Sequence, residues 1–285
     1  MEFRKDKSKE DIMDGLEKYR GSDGIINLNQ LNIELNDFTN FCYEGKQYFI
    51  KWSDKILLLN ELVAAEIAKD FGISSVRYAY ARCDYNEFFS GDCVISECAY
   101  RDNDKAYNLS DLVGDKLTLE DIWNALEIKY KDEDIVSALM DEIVNVFLFD
   151  ILIANDDRHS LNFFIVENEN GVHVAPLFDN EYMLCDSSIN FQHYSIKVDE
   201  GNPYYKFIPE NLSRFLQISD KRYLDRLESK LWIITPSNLD VIFERIEKQT
   251  GFQFSDDYKE GIKEGFNINH SMIEETIKKT IGKRL

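Results

Sequence analysis

The period at which apolar residues recur changes once along this 285-residue chain, near residue 100, and that change removes most architectures from consideration. From about residue 24 to 100, apolar, aromatic and β-branched residues come in short runs between turn signals. Gly24–Leu35, Asn40–Tyr43, Gln47–Trp52, Val76–Cys83 and Asp92–Cys98 read as strands. One helix interrupts them over Lys55–Phe71, where Leu58, Leu62, Ala65, Ile67 and Ala68 recur near helical spacing and Gly72 supplies a stop. Beyond residue 105 the helical period takes over, in Thr118–Lys129, Asp134–Ile153, Lys221–Ile234, Ser237–Lys248 and Ser255–Phe266. Thr235-Pro236-Ser237 is a helix start and Gly251 a stop; a β-like hairpin, Asn162–Val166 and Val172–Ala175 around the turn Asn168–Gly171, lies among the helices. Strands and helices are segregated rather than alternating as βαβ units. The expectation is an α+β protein with a β-rich lobe over residues 1–100 and a mainly helical lobe over 101–285.

Composition sets the class of partner. With 44% hydrophobic residues the chain can bury a core, so its 53 acidic against 33 basic residues, a net charge of −20, do not mark it as disordered. That charge opposes a sequence-independent grip on nucleic-acid phosphates or an anionic bilayer and favours a basic partner. Cys42, Cys83, Cys93, Cys98 and Cys185 are odd in number and never in a CxxC pair, so they read as reduced thiols rather than as a disulfide framework or zinc site. The N-terminus, MEFRKDKSKEDIMDGLEKYR, lacks the apolar stretch of a secretory signal, and Ile143–Ala154 is too short to span a bilayer. A cytosolic location is expected; export by a route the sequence does not display is the alternative.

The densest polar cluster, Ala154-Asn155-Asp156-Asp157-Arg158-His159-Ser160-Leu161-Asn162, directly follows an apolar helix and precedes Phe163-Phe164-Ile165-Val166, so it is a loop gripped by the core on both sides. After the hairpin, Ala175-Pro176-Leu177-Phe178 leads to Asp179-Asn180. The hairpin returns the chain to its start, so Asp157, Asn162 and Asp179 can meet as hard oxygen ligands for Mg²⁺ or Mn²⁺. In the β-rich half, Lys51 sits inside the apolar strand Gln47–Trp52 and needs a carboxylate; Glu61, or next Glu66, on the following helix can provide it. A lysine tied to a glutamate, opposite an aspartate and asparagine able to hold a divalent cation, is the set that phosphoryl transfer requires.

The strings DRHSLN at 157–162 and APLFDN at 175–180 resemble the HipA-like serine/threonine kinases, whose loop reads Asp-x-His-x-x-Asn. Asn60-Glu61-Leu62-Val63-Ala64-Ala65-Glu66-Ile67-Ala68, leading to Phe71-Gly72-Ile73, is similar to the family's helix, and the likeness covers about residues 20 to 200. The resemblance implies a two-lobed protein-kinase-like fold that uses ATP and Mg²⁺. In it Asp157 is the catalytic aspartate, His159 shapes the loop, Asn162 and Asp179 hold the metal, Lys51 binds phosphate and Glu61 holds Lys51. It also implies an adenine site on the connector Ser96-Glu97-Cys98-Ala99, with Glu97 and Ala99 as base-binding positions, an activation-type loop over 180–205 containing Ser187, Ser188 and Ser195, a protein substrate, and a partner of antitoxin type.

The sequence departs from the family in two places. Gly21-Ser22-Asp23-Gly24 is the only candidate for a phosphate-covering loop and lacks the GxGxxG spacing; Lys51 comes so early that the N-terminal module of larger HipA toxins is not expected, leaving a compact kinase. Phosphatidylinositol kinases share Asp-Arg-His-x-x-Asn, but residues 180–196 contain no Lys or Arg for an inositol phosphate headgroup. A nucleotide-binding pseudokinase or toxin–antitoxin module without turnover is the remaining alternative. His173, His193 and His270 show no ligand spacing, and Phe147, Phe149, Phe163, Phe164 and Phe178 read as core.

Overall fold

The computed structural model describes residues 14–31, 33, 35–36, 39–86, 89–100, 103–113, 119–155, 158, 162–184 and 236–281. Outside them lie Asp157, His159, Cys185, the helix expected over Lys221–Ile234, and the expected activation-type loop beyond Leu184 with Ser187, Ser188 and Ser195.

Described strands are β1 (Ile26–Asn27), β2 (Leu35–Asn36), β3 (Asn40–Tyr43), β4 (Lys46–Lys51), β5 (Tyr78–Asp84), β6 (Ser90–Glu97), β7 (Lys105–Asn108), β8 (Phe164–Asn168) and β9 (Gly171–Val174). The helices are α1 (Asp14–Glu17), α2 (Lys55–Phe71), α3 (Leu109–Val113), α4 (Leu119–Tyr130), α5 (Glu133–Leu152), α6 (Pro236–Thr250) and α7 (Asp256–Ile281). A six-stranded sheet runs β1-β5-β6-β4-β3-β2, antiparallel except for the β1–β5 pair. The smaller sheet, β7-β8-β9, is antiparallel throughout. The α+β expectation holds: a sheet with one long helix, α2, is followed by a mainly helical half.

Side-chain parity along the large sheet decides which residues meet the helix. Tyr48 and Ile50 of β4, with Ala79 and Ala81 of β5 and Cys93 and Ile95 of β6, bury one face against Leu16, Ile26 and Leu28. Residues one step out of phase, Tyr80 and Val94, face α2 and join the larger core. Lys51 pairs directly with Val94, so it too lies on the α2 face. The helix buries Leu58, Leu59, Leu62, Val63, Ile67 and Phe71, and it ends at Gly72, whose φ of 82° is the left-handed C-cap that glycine adopts without steric cost.

Three elements differ from expectation for local reasons. Gly24–Leu35 is not one strand: the Asn27 side chain accepts from Asn29 N and turns the chain into a 3-10 helix over Leu28–Gln30. β7 pairs with β8 although Lys105-Ala106-Tyr107-Asn108 contains no β-branched residue; its partner supplies the preference. Helix α7 runs well past Phe266 because Asn269 continues the inward stripe of Ile262 and Phe266 and donates to the carbonyl of Leu152 at 2.6 Å.

Candidate active site

Asp179 is carried to Lys51 by the chain that follows the β8–β9 hairpin. Leu177 is held by Ser74–Val76, the link between α2 and β5, through Leu177 N to Ser74 O (2.9 Å) and Val76 N to Leu177 O (2.9 Å). Two residues on, Asp179 adopts a left-handed φ of 60°, and its N–H donates to the Tyr78 hydroxyl at 3.1 Å. That turn sends its carboxylate toward the end of β4. Lys51 Nζ contacts Asp179 Oδ1, Glu61 Oε1 at 3.0 Å and Glu181 Oε1 at 3.2 Å. Asn162 Nδ2 donates to Asp179 Oδ2 at 2.5 Å. Lys51, Glu61, Asn162 and Asp179, expected to meet, therefore do so. Glu66 is engaged elsewhere, with Arg245 (2.8 Å) and Lys69 (3.5 Å), so Glu61 is the lysine's helix partner.

The electrostatics follow from burial. Glu61 is fully buried; desolvation pushes its carboxyl up, against the Lys51 charge and the Asn180 N–H that donates to Oε2 at 2.8 Å. Burial alone would lower the Lys51 ammonium, but Glu61 and Asp179 outweigh it and keep the group charged above its ordinary value. Desolvation also pushes the Tyr78 hydroxyl well up, so it stays protonated between Glu61 and the Asp179 amide.

The donor set fits a hard divalent cation. Asp179 offers carboxylate oxygens, and Asn162, whose NH₂ now faces that carboxylate, offers its carbonyl oxygen after a half-turn of the amide. Asn162 and Asp179 would hold an ion such as Mg²⁺, which would supply positive charge for phosphate oxygens beside Lys51.

Sequence reasoning missed Glu181, Tyr78 and Asn60. Asn60 donates to the carbonyls of Glu181 (2.8 Å) and Met183 (2.9 Å), fixing the segment after Asp179, and accepts from the Tyr258 hydroxyl of α7 at 2.9 Å. A buried asparagine beside Glu61 on an apolar helix was the available signal. Arg158 is also buried and bonded to Asp150, Phe178 and Asn180.

The structure shows what the only candidate for a phosphate-covering loop packs against. Gly21-Ser22-Asp23-Gly24 is a tight turn closed by Gly21 N to Ile25 O (2.9 Å), and it packs on the α6–α7 link. A Cβ on Gly24 would lie 2.2 Å from Phe252 N and Thr250 O, so the turn is committed to that contact. Thr39 and Asn40, where the chain enters β3, adjoin the Lys51 end of β4: Asn40 pairs with Phe49, and Ile50 N donates to Thr39 O at 2.7 Å. Glu97 and Ala99 stand where β6 passes into the connector toward β7. The Glu97 carboxylate pairs with Lys46 at 3.3 Å, and Cys98 N makes the last ladder contact, to Gln47 O at 3.4 Å. The aromatic residues are corrected in part. Phe147, Phe149 and Phe163 are core, but Phe164 and Phe178 are only half-buried. With Tyr100 of the connector they form a series, Tyr100 to Phe164 at 5.2 Å and Phe164 to Phe178 at 6.0 Å between ring centroids.

No protein-family model and no curated protein matches the sequence. Among solved structures, the proinflammatory kinase CtkA of Helicobacter pylori matches over 92% of this chain and 100% of its own, with a TM-score of 0.64 at 20% identity. The chain has a kinase fold. A HipA–HipB toxin–antitoxin complex with operator DNA from Shewanella oneidensis MR-1 matches over 88% of this chain and 63% of its own, with a TM-score of 0.40 at 13% identity. In the kinase fold described here, the large sheet and α2 supply Lys51 and Glu61, and the β8–β9 unit with its flanks supplies Asn162 and Asp179.

Proposed function

We propose that this protein is an ATP- and Mg²⁺-dependent phosphotransferase that passes the γ-phosphoryl group to a Ser or Thr hydroxyl of a protein. The observation that carries the reading is the convergence of Lys51, held by Glu61, on Asp179 and Asn162. In this reading Lys51 neutralises phosphate oxygens, Glu61 fixes the lysine, and Asn162 and Asp179 hold Mg²⁺, or Mn²⁺ in its place, which neutralises charge developing on the phosphates. Asp157 orients the attacking hydroxyl, and His159 shapes its loop. The series of exposed Tyr100 and half-buried Phe164 and Phe178 runs from the connector to the residue before Asp179, so it supports a planar base stacked near Glu97 and Ala99 with its phosphates toward Lys51. Net charge of −20 supports a basic protein as substrate. Free thiols at Cys42, Cys83, Cys93 and Cys98 support a reducing, cytosolic setting.

The test is transfer of label from γ-labelled ATP with Mg²⁺ to a basic protein. Asp157→Ala lowers transfer about 100- to 10,000-fold while leaving nucleotide affinity nearly intact. Asp179→Ala removes metal-dependent nucleotide binding as well. A wild-type protein that binds nucleotide but transfers nothing, to protein or to itself, is a binding module and the reading fails; label in phosphoinositide instead makes it a lipid kinase.

A further inference from the structure

Arg158 follows Asp157 in a loop that a solvated reading would leave exposed, yet its side chain is buried and each of its three nitrogens reaches an acceptor. Nε reaches both Asp150 oxygens (3.1 and 3.4 Å), Nη2 reaches Asp150 Oδ1 (3.1 Å) and Asn180 Oδ1, and Nη1 reaches the carbonyl of Phe178 (2.7 Å). Asp150, in the last turn of α5, also accepts from Asn155 Nδ2 at 3.2 Å, and its carbonyl accepts from Asn155 N at 2.9 Å. One carboxylate thus holds positions 155 and 158, which bracket Asp157 in sequence. The guanidinium holds positions 178 and 180, which bracket Asp179. Asn180 then donates its N–H to Glu61, the residue that holds Lys51.

We infer that Arg158 is a positioning residue that sets the spacing between the segment bearing Asp157 and the segment bearing Asp179, acting through Phe178 and Asn180 and not on the nucleotide. The inference rests on the phosphotransferase reading for its effect on rate. Stability does not account for the residue: a buried ion pair roughly breaks even against an apolar pair of the same volume. Reaching three acceptors in different directions needs the rigid, planar fork of arginine, and a lysine, a point charge on a flexible stem, cannot span them.

Arg158→Lys keeps the charge opposite Asp150 and removes the fork. The expected result is a kcat at least about 30-fold lower with a much smaller change in KM for ATP, in protein that still melts above the assay temperature. Amide hydrogen exchange in residues 153–163 and 178–184 speeds up at least about tenfold, while α2 and the body of α5 exchange as in wild type. Unchanged exchange in both segments overturns the inference, as does wild-type kcat, and faster exchange everywhere reduces Arg158 to a general stabiliser and overturns it too. If Arg158→Lys fails to fold, Asp150→Asn, which leaves Arg158 an amide acceptor, is judged by the same exchange criterion. Should the wild-type protein transfer no phosphate, the phosphotransferase reading falls on that result alone, and exchange still decides whether the fork holds the two segments together.

Discussion

Lys51 keeps its charge inside the protein because Glu61, Asp179 and Glu181 surround it, and they do not contribute equally. Glu61 is fully buried and also accepts the Asn180 N–H, so it is the fixed member. A carboxyl held above its ordinary pKa favours folding while protonated and loses that contribution as pH rises through the folded value; ionising Glu61 is therefore a cost to the fold. Removing one partner of a buried pair ordinarily costs about 3–5 kcal/mol because it strands the other charge, but Lys51 retains two carboxylates here. Glu61→Gln is thus expected to keep the thermal midpoint within about 3 °C of wild type or raise it, while lowering phosphotransfer at least about tenfold, since the lysine then drifts toward Asp179 and Glu181. Calorimetry and a transfer assay on the same preparation check both halves. Lys51 was legible in the sequence because an ammonium inside an apolar strand is chemically out of place. Tyr78 and Glu181 were not, since a tyrosine in a strand and an acid in a loop are unremarkable until residues about a hundred positions apart are brought together.

At the scale of elements, α2 does two jobs with adjacent residues. Glu61 faces Lys51 and Asn180, while Asn60, about 100° further round the helix, faces the carbonyls of Glu181 and Met183 and the hydroxyl of Tyr258 on α7. A shift of α2 therefore moves the lysine's anchor and the segment after Asp179 together, and α6 restrains that shift through Arg245, bonded to Glu66 and Asp70. Tyr258→Phe removes one hydrogen bond from this arrangement and leaves the ring packed on Phe254. It is expected to cost about 1 kcal/mol, a midpoint lower by about 2–4 °C, and to raise KM for ATP more than it changes kcat, as thermal scans and steady-state kinetics would show. The long helices were legible from their apolar stripes to within a residue or two, apart from the far end of α7. Its inward stripe continues through Asn269, and no local pattern reveals that the carbonyl of Leu152 waits for that amide. At Gly21–Gly24 the limit is of the same kind: glycines announce a turn, but only tertiary packing decides what the turn touches.

Over the whole molecule, that turn joins the two ends of the described chain. Gly24, at φ 79°, lies against Gly251 and Phe252 of the α6–α7 link, and the Phe252 ring packs at a tilt on Tyr80 of the large sheet, 4.9 Å between centroids. Gly24→Ala must push backbone from backbone, and is expected to destabilise by about 2–4 kcal/mol, read by denaturant titration, while leaving the nucleotide affinity of the folded protein unchanged. Charge acts at the same scale but by a different route. A net charge of −20 contributes little to any single contact, yet it sets a long-range field that gathers cations and repels ATP. In the proposed reading, Lys51 and a bound metal would overcome that repulsion locally, whereas a basic protein substrate would be drawn in by it. Screening therefore separates the two substrates. Raising ionic strength from about 0.05 to 0.5 M shortens the reach of the field from roughly 14 Å to 4 Å, so kcat/KM for a Ser peptide flanked by Lys or Arg should fall at least about fivefold, while KM for ATP holds or improves and a neutral peptide changes little. Equal salt responses for basic and neutral peptides would mean that the acidic surface plays no part in choosing the substrate, and that the choice is made by short-range contacts at the site.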